Sequence, residues 1–144
     1  MRTSSRLLPA LALGALIGCG LGAKVDQLIE IADSETSRGC ACEWQTANYA
    51  SEQECFEDRR VTSAQRGCLE GTVDDAPNRE SAERLLDCYT AAYDSLGSCS
   101  GGLDCTDDLS RLACALEFGV DVTDCGSEDP DLAADMLQCL GVGD

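Results

Sequence analysis

The 144-residue chain has no histidine, a single lysine and only 4% aromatic residues. Without histidine, no Ser-His or Cys-His nucleophilic pair can be assembled, and the ordinary general base near neutral pH is missing. Neither a glycine-rich phosphate loop nor a G-x-S-x-G elbow is present, so the usual signatures of phosphoryl and acyl transfer are absent too. The reading is of a protein that is not an enzyme and needs no cofactor. Basic residues number 10 against 27 acidic ones, for a formal charge of −17. That excess, with no basic patch, disfavours nucleic acid as a partner. The six aromatic residues, Trp44, Tyr49, Phe56, Tyr89, Tyr93 and Phe118, are the large core fillers on offer, and they make a thin core.

What the chain has is cysteine, acid and an apolar start. Arg2 and Arg6 precede an apolar run over residues 7–18, and small residues follow before the first acidic residue, Asp26. This is the tripartite form of an export signal. The run ends in Leu16, Ile17, Gly18 and Cys19, which resembles the lipobox of bacterial lipoproteins. The resemblance implies cleavage before Cys19, a diacylglyceryl group on its thiol and acylation of the new amino end. Two or three acyl chains suffice as an anchor, at about 0.8 kcal/mol per buried methylene. It also implies a bacterial envelope location. Gly20, rather than Asp, after the lipidated residue favours the outer membrane, on its periplasmic or surface face. An ordinary signal cut after Gly22 is one competing reading. A retained membrane helix is another, although Pro9 and several glycines interrupt a run that barely reaches the length required. The organisation expected is a signal over 1–18, a lipidated end and short tether over 19–24, and a cysteine-rich domain over 25–144.

Setting Cys19 aside leaves ten cysteines, at Cys40, Cys42, Cys55, Cys68, Cys88, Cys99, Cys105, Cys114, Cys125 and Cys139. An even number in an exported chain fits a complete disulfide set, with about 945 possible connectivities. A thiolate metal site is the alternative, but the chain has neither histidine nor a C-x-x-C pair, and an oxidising compartment opposes it. A redox pair at Cys40 and Cys42 lacks the usual spacing for the same reason. Loss of the signal leaves eight basic against 27 acidic residues, a charge of −19. Disulfides, each contributing about 2–4 kcal/mol, offset this self-repulsion more than the core does.

Behind the signal the pattern is helical. Val25, Leu28, Ile29 and Ala32 recur at helical spacing, so a first helix starts almost directly after the anchor. "SEQE" at 51–54 and "TSAQ" at 62–65 fit capping boxes that open two short helices carrying Cys55 and Cys68. The longest helix is expected from Arg79 to Leu96 after an Asn78 cap, with Ala82, Leu85, Leu86, Tyr89, Ala92, Tyr93 and Leu96 inside. Thr106 followed by Asp107 and Asp108 opens another, with Leu109, Leu112, Ala113 and Leu116 as its inner face. The last begins at Asp129 and Pro130, with Ala133, Met136, Leu137 and Leu140 inside. No stretch alternates long enough to be a strand. The fold expected is a small disulfide-stapled all-α bundle of five to six short helices.

"LLDC", "RLAC" and "MLQC" end at Cys88, Cys114 and Cys139, and Cys99 and Cys125 echo the same interval of 25 to 26 residues. Such an interval fits degenerate helical repeats as well as chance. Paired acids, Asp74 with Asp75 and Asp107 with Asp108, read as caps and solvated charge rather than a glycosidase pair. Residues 121–132 can be laid on a calcium loop with Asp121 first, Gly126 at the turn and Asp129 ninth. Thr123, Cys125 and Leu132 then fail as ligands. The functional expectation is therefore a membrane-anchored structural, assembly or binding module with a possible envelope protein partner. An exported inhibitor or ligand binder that presents loop 98–104, with calcium dependence as one form of it, is the alternative.

Overall fold

A computed structural model describes residues 20–141, and among them the chain forms six helices and no strand. They are α1 (Leu21–Glu43), α2 (Glu52–Arg59), α3 (Ser63–Asp74), α4 (Arg79–Ser100), α5 (Asp108–Gly126) and α6 (Pro130–Cys139). The expected disulfide-stapled all-α bundle is the architecture found, although α1 and α4 are long rather than short.

The caps follow side-chain chemistry. Ser51 accepts from the Glu54 amide at the start of α2, and Thr62 with Gln65 completes a capping box at α3. Asn78 accepts from two amides of α4, and Asp129 accepts from the Leu132 amide with Pro130 in the first turn of α6. Each such cap stabilises its helix by about 1 kcal/mol. At α5 the cap is Asp107, not Thr106.

α1 begins at Leu21, so residues 21–24 of the expected tether lie inside the helix, and α1 carries both Cys40 and Cys42. α4 lies alongside α1 and runs the same way: Lys24 pairs with Asp87, and Arg38 donates to the Gly97 carbonyl at 3.3 Å. α2 and α3 fold back along α1, where Asp33 accepts from the Val61 amide at 2.9 Å and Asp26 pairs with Arg66. α5 returns antiparallel to α4, and α6 returns antiparallel to α3, with Gln65 donating to the Leu140 carbonyl at 3.0 Å. One end of the bundle thus collects the start of α1, the end of α3 and the starts of α4 and α6.

That half also holds the core. Val25, Leu69, Val73, Leu86 and Met136 are fully buried there, packed with Leu21, Leu28, Leu85 and Tyr89. Burial of each large aliphatic side chain contributes about 1.5–3 kcal/mol. In the other half, the buried members of α1, α2 and the start of α5 are Cys40, Cys55 and Cys114. Disulfides there take the place of an aliphatic core. Trp44, Tyr49, Phe56, Tyr93 and Phe118, expected as core fillers, are only half-buried, and Tyr89 alone of the six is enclosed.

Candidate functional site

All ten cysteines among the described residues pair, as Cys40–Cys55, Cys42–Cys105, Cys68–Cys139, Cys88–Cys125 and Cys99–Cys114. The sequence left this connectivity open. Two bridges join α4 to α5, one joins α1 to α2, one joins α3 to α6, and one ties the end of α1 to the loop before α5. Cys19 and the signal segment 1–18 lie outside the described residues.

The α4–α5 clamp has a geometric basis. Cys88 and Cys99 are eleven residues apart on α4, as are Cys114 and Cys125 on α5, and eleven residues make about three helical turns. Each pair therefore lies on one face, and antiparallel packing brings both pairs into register. The equal 26-residue intervals from Cys88 to Cys114 and from Cys99 to Cys125 are the same fact stated along the chain. Cys88, Cys114 and Cys139 bond to three differently placed partners, and the leucines two residues before them are buried, exposed and half-buried respectively. The echo marks a clamp, not stacked copies of one unit.

The clamp decides which side of α5 faces inward. Cys114, Phe118, Val122 and Cys125 turn toward α4 and α6, where Phe118 packs on Tyr93 with ring centroids 4.7 Å apart. The residues expected as the inner face point the other way. Leu109, Leu112 and Leu116 are 82%, 56% and 65% exposed, Val120 is 58% exposed, and Ala113 is exposed as well. Hydrophobic spacing alone weighs leucine over cysteine, and the two bridges override it. The outcome is a continuous apolar stripe on the surface of a helix.

A groove of about 410 Å³ borders this stripe at Leu112, between the ends of α1 and α4 and the start of α5. Leu96 and Leu103 contribute apolar wall, while Glu35, Arg38 and Arg111 line its polar side. Arg38 is held by Glu35 at 2.5 Å and Arg111 by Glu43 at 2.8 Å. The same Glu43 binds Arg59 at 3.0 Å, tying α1 to α2 and α5 together. On the other side of α5, a groove of about 310 Å³ against α4 is bordered by Asp94, Glu117 and Asp121.

Acidic side chains outnumber the basic ones available to pair with them, so among the described residues acids without an ion-pair partner occur on every helix. All eight basic residues of the described region form ion pairs within the chain. Asp94, Glu117, Asp121 and Asp124 take part in none of these pairs. The acids considered for chemistry have structural places: Asp107 caps α5, Asp75 ends α3, and Asp129 both caps α6 and accepts from the buried Ser81 hydroxyl at 2.8 Å. Asp121 and Thr123 sit within α5, and Cys125 is bonded to Cys88, so residues 121–132 do not form the encircling loop a calcium site needs. Among the described residues no three His, Cys, Asp or Glu side chains converge as a metal-ligand set. Residues 98–100 of the expected recognition loop belong to α4, which leaves 101–104 as loop. Among the described residues no helix is long and apolar enough to cross a membrane.

The fold thus defines a class, a small disulfide-stapled helical bundle with an apolar face on α5 that no other described residue covers. Compared with known proteins, the chain matches no family model, no curated protein and no solved structure.

Proposed function

We propose that this protein is a lipid-anchored, non-enzymatic binding or assembly module of the bacterial cell envelope. The observation that carries the binding role is the exposed stripe of Leu109, Leu112, Leu116 and Val120 on an acidic bundle. Monomeric proteins rarely leave contiguous apolar surface without a use for it. Five disulfides fit an oxidising compartment outside the cytoplasm. The anchor rests on the charge, apolar run, small residue and cysteine that end at Cys19. With α1 opening at Leu21, a lipid on Cys19 would seat the bundle directly at the bilayer, without a flexible stalk. The acids that end α3 and open α6, Asp74, Asp75, Asp129 and Asp131, would lie at that same end and repel anionic headgroups. Attachment then falls to the acyl chains alone, and outer-membrane placement follows from Gly20.

Intact mass of the protein from its native membrane, before and after reduction and alkylation, tests this reading. Expected are a chain beginning at Cys19 with added acyl mass, and ten thiols that appear only on reduction. A chain beginning at Ala23 with no lipid would make it a soluble exported protein instead.

A further inference from the structure

The α5 stripe has a shape and an electrostatic setting that select among occupants. From Leu109 to Val120 it runs about 16 Å at a rise of 1.5 Å per residue, with leucines at helical spacing. That is the ridge pattern into which another helix packs. Along one edge stand Glu117, Asp121 and Asp124, spaced four and three residues apart on α5, and across the adjoining groove stands Asp94 of α4. Among the described residues none of these four carboxylates has an ion-pair partner, and every basic residue described is already paired.

We propose that the outward face of α5 docks a cationic amphipathic helix of a partner protein, with leucine-type side chains on the stripe and Lys or Arg reaching Asp94, Glu117, Asp121 and Asp124. This rests on the binding-module reading above but not on the lipid anchor. A second copy of the chain is the wrong occupant, because it brings the same excess of 27 acidic over 10 basic residues, and every basic residue among those described is already paired. An anionic bilayer is wrong for the same reason. A basic helix gains both the apolar contact and a steered encounter.

The test uses the oxidised protein as isolated from its membrane, held in nanodiscs of zwitterionic lipid with empty nanodiscs as blank, or free in buffer if it carries no lipid. The probe is a fluorescent Leu/Lys amphipathic peptide of about five helical turns, followed by anisotropy. A second peptide keeps the same charge with glutamine in place of leucine. Saturable binding of the first peptide is expected, weakened about tenfold or more by Leu112→Gln with Leu116→Gln. Glu117→Gln with Asp121→Asn should weaken it as well, and Asp74→Asn with Asp75→Asn at the far end should not. Equal affinity for both peptides, or indifference to the leucine substitutions, would overturn the proposal in favour of unspecific charge attraction. Sedimentation showing a dimer that the leucine substitutions abolish would overturn it in favour of a second copy. Because Leu112 and Leu116 are exposed, the variants keep the fold, which helical circular dichroism checks.

Discussion

Cys114 and Leu116, two residues apart on α5, face opposite ways: Cys114 is buried and bonded to Cys99, and Leu116 stands in solvent. A helix of this sequence would ordinarily turn its leucines inward, so the bridges fix its rotation about its own axis. The two residues should then respond oppositely to substitution. Replacing Cys99 and Cys114 together by alanine removes a bridge closing a 15-residue separation, which should cost about 3 kcal/mol. Leu116→Gln should change stability by no more than about 0.5 kcal/mol. Guanidinium unfolding of both variants reads the contrast, and a large loss for Leu116→Gln would mean that the stripe is packed after all.

How much of this was legible in the sequence depends on what each residue reports about its neighbours. Ser51, Thr62, Asn78 and Asp129 mark their helix starts because a cap is a local hydrogen bond, complete within four residues. The inner faces of α4 and α6 were legible because leucine, tyrosine and methionine there meet a real core. α5 was misread because its orientation is set by long-range bonds, which periodicity does not register. The eleven-residue spacing on both helices did contain that pairing, but it becomes informative only once α4 and α5 are taken as antiparallel. The far reach of α1 was likewise hidden. Residues 33–39 hold serine, threonine and acid with little apolar pattern, and the helix continues through them to Cys40 and Cys42, whose bridges fasten it to Cys55 and Cys105.

Tyr89 is 3% exposed, and its hydroxyl has no hydrogen-bond partner among the described residues. A buried polar group left unpaired costs about 1–3 kcal/mol relative to a satisfied one. Tyr89→Phe should therefore leave stability unchanged or raise it by about 1 kcal/mol at neutral pH, as thermal unfolding would show. Burial also pushes the Tyr89 phenol above its ordinary value near 10, and burial with Asp33 and Glu35 nearby does the same to Tyr93. A phenol whose folded value is raised keeps its proton more tightly in the folded chain. Its contribution to stability is full below the unfolded value and is lost as pH rises through the folded one. Stability should accordingly fall above about pH 10, and less steeply in Tyr89→Phe. Equal alkaline slopes for the two proteins would place the loss elsewhere.

Glycine lowers helix stability wherever its conformational freedom is not needed, yet the helical glycines here are not equivalent. A methyl group added at Gly67, Gly71 or Gly119 meets nothing within 4 Å, so alanine there restricts the unfolded chain without crowding the folded one. Each substitution should stabilise by about 0.5–1 kcal/mol. At Gly126, the last residue of α5, the added carbon would stand 3.1 Å from the Ala133 Cβ and near the Tyr89 hydroxyl. Ala133 cannot rotate out of the way, since its Cβ position is fixed by the backbone of α6. Relief must come from separating α5 and α6 close to the Cys88–Cys125 bridge, which resists it, so Gly126→Ala should destabilise by about 1–2 kcal/mol. Parallel denaturation of Gly119→Ala and Gly126→Ala reads the same chemical change with opposite sign. A gain at Gly126 would show that the contact between α5 and α6 yields more readily than its spacing implies.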